Sequence, residues 1–214
     1  MGREFLDIFE SWAASYDHTV SSEDNEYREV FKHYELILEK VAHLSKGHVL
    51  EFGAGTGNLT KKLLRKGHTV TAIEPSKEMR RIFKEKIPGH LNYDILDGDF
   101  LRFEVSQPVD TIVSTYAFHH LTDQEKSKAI SIYQKLLKKG GKVVFADTMY
   151  QSEIAQLEGI EEAKNANLLS LAKDLETEYY STIPFLEKEF TKNSFDVTFT
   201  QCNSFVWILD AMKR

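Results

Sequence analysis

The stretch Val49-Leu50-Glu51-Phe52-Gly53-Ala54-Gly55-Thr56-Gly57-Asn58-Leu59-Thr60 constrains this chain more than any other. Val49, Leu50 and Phe52 form a short apolar run, which predicts a buried strand. The glycines at every second position, Gly53, Gly55 and Gly57, predict a tight turn, because glycine tolerates positive φ and lets a ligand lie against bare backbone. Thr56 and Asn58 offer cap-type side chains, and Leu59, Leu63 and Leu64 begin a helical stripe. Together these features give strand, turn and helix, with the N–H groups of the first helical turn pointing at whatever sits in the turn. The next apolar run, Thr69 to Ile73, ends at Glu74. That acid lies about 20 residues past the first glycine, where dinucleotide folds place the residue that accepts both ribose hydroxyls. A carboxylate suits the task because it accepts two hydrogen bonds side by side. Pro75-Ser76 then break the strand and cap a further helix. Read from these residues alone, the unit is either a nucleotide-type site or a structural turn followed by a solvated acid.

Glu51-Phe52-Gly53-Ala54-Gly55-Thr56-Gly57 resembles the E/D-x-G-x-G-x-G motif of class I S-adenosylmethionine (SAM) dependent methyltransferases, and Ile73-Glu74-Pro75-Ser76-Lys77-Glu78-Met79 resembles that family's second motif. The third glycine comes one residue earlier than in the dehydrogenase form G-x-G-x-x-G, and an acid, Glu51, stands two residues before the first glycine. Both details favour SAM over NAD. The resemblance implies that the Gly53 and Gly55 backbones hold the methionyl part of the cofactor, that Glu74 holds its ribose, and that Glu51 is also cofactor-binding. Trp12-Ala13-Ala14-Ser15-Tyr16-Asp17 resembles the W-x-x-x-Y-D segment of many small-molecule methyltransferases, which implies a place for Tyr16 near the methionyl end. Packing alone also accounts for Trp12 and Tyr16. A third strand, Leu91 to Leu96, leads to Asp97-Gly98-Asp99-Phe100, where the family's adenine-binding acid is either Asp97, at the strand end, or Asp99, in the usual G-D-x pattern, with the Phe100 N–H reaching a ring nitrogen. Met79 lies under the adenine or fills core.

Asp110 to Thr115, followed by Tyr116-Ala117-Phe118-His119-His120-Leu121, resembles the segment after strand four of small-molecule methyltransferases. Such a segment borders the methyl group, because ligand crevices of open α/β sheets lie at the carboxyl ends of the strands. Tyr116 and His119 are the catalytic candidates, facing the methyl acceptor, while His120 caps or packs locally. A metal centre wants three or four ligands, and spacing supplies no third beside the paired histidines, so no metal is expected.

The remaining chain fits this frame. Phe5, Ile8, Phe9 and Trp12 predict an amphipathic helix, and a second runs from about Glu26 to His43. Thr122 and Glu125 form a capping-box pattern for a helix to about Lys138, stopped by Gly140-Gly141. A fifth strand covers Lys142 to Ala146, with Asp147 at its end. Met149 to about Tyr180 is helical and polar, with Glu176, Glu178, Tyr179 and Tyr180 as candidate substrate contacts, and a short helix follows from Ile183 to about Lys192. Phe195 to Thr200 and Phe205 to Leu209 alternate as a closing hairpin around Asn203-Ser204, as in the resembled family.

The expected fold is therefore α/β, a Rossmann-like three-layer sandwich. Its seven-stranded, mostly parallel sheet closes with a C-terminal antiparallel β-hairpin, and N-terminal helices precede it. We expect one domain over residues 1–214: a helical cap at 1–45, a cofactor-binding core at 46–148, a helical lid at 149–192 and the hairpin at 193–214.

Charge and composition narrow the function. Against 27 basic residues stand 33 acidic ones, a formal charge of −6, and no basic block stands out, so nucleic acid is disfavoured as substrate. An N/D-P-P-Y/F/W motif, the usual mark of exocyclic-amine methylation, is also missing after strand four. Cys202 is the only cysteine, which excludes a disulfide framework and a multi-cysteine metal site. Nothing approaches 18 continuous apolar residues, and Arg3, Glu4 and Asp7 argue against a signal peptide. A cytoplasmic monomer or homodimer without membrane attachment is expected. The resemblance implies transfer of a methyl group from SAM to a small-molecule acceptor, leaving S-adenosylhomocysteine (SAH). Two other readings stay open: a SAM- or SAH-binding protein without transferase activity, and an NAD-type oxidoreductase.

Overall fold

The computed structural model describes residues 13, 16–20 and 25–214. The expected first helix, with Phe5, Ile8, Phe9 and Trp12, lies outside them. Five strands form a parallel array: β1 (His48–Phe52), β2 (Thr69–Ile73), β3 (Tyr93–Leu96), β4 (Thr111–Thr115) and β5 (Lys142–Tyr150). The two-residue β6 (Ser181–Thr182) runs parallel to the end of β5. β7 (Phe195–Gln201) and β8 (Val206–Lys213) make an antiparallel hairpin, and β8 lies antiparallel to β5. The order across the sheet is β3-β2-β1-β4-β5-β8-β7, and β6 is the one strand beyond the seven expected. The order reverses between β1 and β4, and in open α/β sheets the ligand crevice forms at such a switch point.

Period-two alternation along the strands divides the apolar side chains between two faces. Leu50, Phe52, Ile112, Val143 and Phe145 share one core with α4 (Asp123–Leu136) and α7 (Ile183–Lys192), through Ile130, Tyr133, Leu186 and Phe190. Val49, Val70, Ala72, Val113 and Val144 share the other with α1 (Tyr34–Leu44), α2 (Asn58–Arg65) and α3 (Lys77–Lys86). These strands are therefore buried along nearly their whole length, as strands covered on both faces are. Burial of each large side chain contributes about 1.5–3 kcal/mol, so a one-residue slip in register, which would exchange the faces, is strongly disfavoured.

Over the carboxyl end of β5 lie α5 (Glu153–Asn165) and α6 (Leu169–Thr177), which form a third, smaller core from Ile160, Ala163, Leu171 and Leu175 around Tyr150. Within the stretch read as one lid, α7 belongs instead to the sandwich layer. Three boundaries differ from expectation. The second helix begins at Tyr34, not near Glu26, because His33 adopts φ 67° and ψ 21° just before it. β3 begins at Tyr93 rather than Leu91. β5 extends to Tyr150, because Asp147 and Thr148 pair with Trp207 and Val206 of β8 while Met149 and Tyr150 pair with β6. Asp147 is thus inside a strand and buried.

Candidate active site

The β1–α2 turn is built as its sequence dictates. Gly53 has φ 64°, and a Cβ there would meet that of Ala117 at 2.6 Å, so only glycine lets the turn press against the segment after β4. Gly55 has φ 53° and nothing within 4 Å of an added Cβ. Its outer face opens onto a cavity lined also by Tyr16, Glu74, Met79, Asp99, Phe100 and Tyr116. Glu74, at the end of β2, turns its carboxylate back toward the turn. It accepts the Gly55 N–H at 2.8 Å and the Ser76 N–H at 2.9 Å. Burial raises its carboxyl above the ordinary value, against those two bonds. Ser76 in turn caps α3 by accepting from the Met79 N–H.

The two acids after β3 part company. Asp97 has 56% of its side chain exposed, stands 3.5 Å from Arg80, and is not among the residues lining the cavity. Asp99 is buried and lines it. Its Oδ1 accepts the N–H groups of Leu101 and Arg102 at 3.0 and 2.9 Å, an Asx turn that fixes the carboxylate. Phe100 stacks on Phe52 with ring centroids 5.2 Å apart. Glu51 faces α2 and is 2% exposed, and its Oε2 accepts from the Thr60 hydroxyl at 2.6 Å. Burial pushes its carboxyl up to about 8, against that bond. The alternation of β1 sends Glu51 to the face opposite Leu50 and Phe52, and so away from the cavity lining.

A clasp holds the N-terminal segment over the turn. Asp17 accepts from Thr56 Oγ1 at 2.7 Å, from Asn58 Nδ2 at 2.9 Å and from Lys86 Nζ at 2.6 Å. These bonds lower the Asp17 pKa although burial opposes them. Tyr16, one residue earlier, is thereby set in the cavity wall. No spacing rule links residues from such separate elements, and sequence reasoning missed this role of Asp17.

Beyond the turn, Tyr116 occupies a left-handed conformation, φ 53°, rare for a bulky residue. Its buried hydroxyl has no hydrogen-bond partner among the described residues. Tyr116, Tyr16 and His120 also line a second cavity of about 480 Å³, with Tyr27, Phe31 and Tyr180. His119 is fixed there. Its backbone N–H donates to Asp147 Oδ2 at 3.0 Å and its Nδ1 lies 2.6 Å from Oδ1. Its Nε2 lies 3.3 Å from Glu178 Oε2. Burial works to lower the imidazole pKa, but Asp147 and Glu178 outweigh it and hold it above the ordinary histidine value. Burial and the neighbouring His119 push His120 well below that value. Glu178 arrives from the end of α6, held by the Tyr179 N–H donating to the His119 carbonyl at 3.0 Å. Spacing supplied no third group beside the paired histidines; chain folding brings one, the Glu178 carboxylate, within reach of both.

The family model of the methyltransferase domain matches residues 49–141, from β1 to just before β5. An uncharacterised methyltransferase of Bacillus cytotoxicus is 56% identical over 214 residues, the full length of both chains, and one of Bacillus thuringiensis is equally similar. Among solved structures, magnesium protoporphyrin IX methyltransferase of Synechocystis PCC 6803 with bound SAH superposes with a TM-score of 0.75 at 15% identity, covering 98% of each chain. DhpI with SAM and HEP gives 0.71 at 18% identity, covering 96% of this chain and 94% of that one. With its fold, its glycine turn and its full-length relatives in agreement, the chain belongs to the class I SAM-dependent methyltransferases.

Proposed function

We propose that this methyltransferase methylates a small, partly apolar molecule that enters the second cavity. The observation that carries the reading is the shared wall: Tyr16, Tyr116 and His120 line both cavities, so a molecule in one would meet a molecule in the other across them. Aromatic walls suit a small acceptor, and the formal charge of −6 does not suit nucleic acid. No described helix is long and apolar enough to cross a membrane, and we place the reaction in the cytoplasm, on a monomer or homodimer.

The donor groups fit SAM. Gly53 and Gly55 would present bare backbone to its methionyl part, Glu74 would take the ribose hydroxyls on its remaining lone pairs, and Asp99 with the Phe100 N–H would take the adenine. Of the two acids after β3 we choose Asp99, since only it lines the cavity. Glu51 acts from behind, tying β1 to α2 through Thr60. SAM, when bound, supplies a methyl group already activated on a sulfonium. The chain's residues need chiefly to align the nucleophile, and orientation alone contributes several kcal/mol. Tyr116 and His119 would face the acceptor, the tyrosine offering its unpartnered hydroxyl and Asp147 holding the histidine ring at a fixed angle.

The test is turnover of SAM to SAH with fractionated small-molecule extract. Formation of SAH that depends on one fraction, and a product heavier by one methyl group, would support the proposal. Tight SAM binding with no turnover in any fraction would instead favour a SAM-binding protein without transferase activity.

A further inference from the structure

We infer that His119, His120 and Glu178 form a binding site for a borderline divalent cation of the Zn²⁺ type, with one coordination position open to the second cavity. The three side chains come from a 3-10 turn (Phe118–His120) and the end of α6, and each brings a ligand atom within 4.8 Å of the others. Around a tetrahedral zinc with bonds of about 2.1 Å, neighbouring ligand atoms lie about 3.4 Å apart. His119 Nε2 and Glu178 Oε2 are already at 3.3 Å. His120 Nδ1 and Glu178 Oε1 are at 3.8 Å, a gap that an ion bridges and a hydrogen bond does not.

The groups behind these ligands are those a metal site uses. His119 turns Nδ1 to Asp147 Oδ1 at 2.6 Å, and Asp147 also takes the His119 backbone N–H. With the proton on Nδ1, the lone pair is on Nε2 and faces Glu178, the carboxylate–histidine–metal arrangement. Tyr180 donates its hydroxyl to Glu178 Oε2 at 2.6 Å and lies against the His119 ring, centroids 4.9 Å apart. Two imidazoles and a carboxylate suit zinc and its borderline neighbours better than magnesium or calcium. Three protein ligands leave the fourth position to water or to a lone pair on the acceptor, as in catalytic rather than structural zinc sites. The competing arrangement is an imidazolium at His119 that satisfies Asp147 and Glu178 without a metal.

Calorimetry of the chelator-stripped full chain with Zn²⁺, repeated with Co²⁺ while following its visible absorption, separates the two. The inference expects one ion per chain and the intense d–d absorption of low-coordinate Co²⁺. Glu178→Gln and His120→Ala should each weaken binding at least tenfold, and Asp147→Asn by about 10–100-fold through the loss of ring orientation. SAM affinity, measured on the Glu178→Gln protein, should stay within twofold of the parent and so report an intact fold. Absence of stoichiometric Zn²⁺ binding by the parent chain, or binding indifferent to both Glu178→Gln and His120→Ala, would overturn the inference.

Discussion

Two acids of the glycine-turn unit, both nearly inaccessible, call for opposite experiments. Glu74 lines the cavity proposed for the cofactor, and a desolvated carboxylate contact is worth about 1.5–3 kcal/mol. Glu74→Ala should therefore weaken SAM binding at least tenfold by calorimetry, and an unchanged affinity would remove the residue from the site. Glu51 is a matter of stability. Its folded-state pKa, about 8, lies above the ordinary glutamate value, so the folded protein holds a proton that the unfolded chain releases earlier. Stability is greatest below the unfolded pKa and declines as pH rises toward 8, where the cost of a buried charge is complete. Glu51→Gln keeps a hydrogen-bonding group for Thr60 without the charge. Urea unfolding should find it near parity with the parent at pH 4.5 and more stable by about 2–4 kcal/mol above pH 8; a difference that ignored pH would show Glu51 to be uncoupled from folding. The sequence exposed the glycines and Glu74 through local spacing, and the pair Asp97/Asp99 through the family resemblance. It could not choose within the pair, since the choice depends on where β3 stops and on the Asx turn that draws Asp99 inward.

At the level of elements, legibility followed locality again. The capping box opening α4 was readable because its parts are three residues apart, and the structure shows both halves of it. Thr122→Ala should cost about 1 kcal/mol and lower Tm by about 2–4 °C. A thermal scan showing no shift would mean that tertiary packing alone holds the α4 terminus. Where elements were misjudged, the deciding feature was a remote pairing or a single backbone conformation that apolar spacing does not reveal. β5 runs past Ala146 because β6 and β8 are there to pair with it, and α1 starts late because of one left-handed residue, His33, in a stretch whose apolar spacing looks uninterrupted. The meeting of Glu178 with the paired histidines is of the same kind, since no periodicity connects the end of α6 with the segment after β4.

For the molecule as a whole, cofactor and fold should be thermodynamically linked, because the cavity is made from the ends of β1, β2 and β4 together with the N-terminal segment. SAM at about a hundred times its Kd adds about 2.7 kcal/mol, which for a chain of this size raises Tm by about 5–10 °C. NADH at matched concentration should leave the midpoint where it was; a shift with NADH and none with SAM would reverse the cofactor assignment. The layered architecture was legible because apolar runs, glycine stops and a terminal hairpin follow one another in order. The clasp was not, and it has a kinetic meaning. Tyr16 walls the cavity, and Asp17 beside it is tied to Thr56, Asn58 and Lys86. A cofactor held in this cavity would lie behind a fastening that is ionic and partly wetted, with 46% of the Asp17 side chain exposed. Such a fastening loosens as ionic strength rises, so salt becomes a throttle on exchange: the residence time of SAH should shorten in concentrated electrolyte while the apolar walls of the cavity keep their grip.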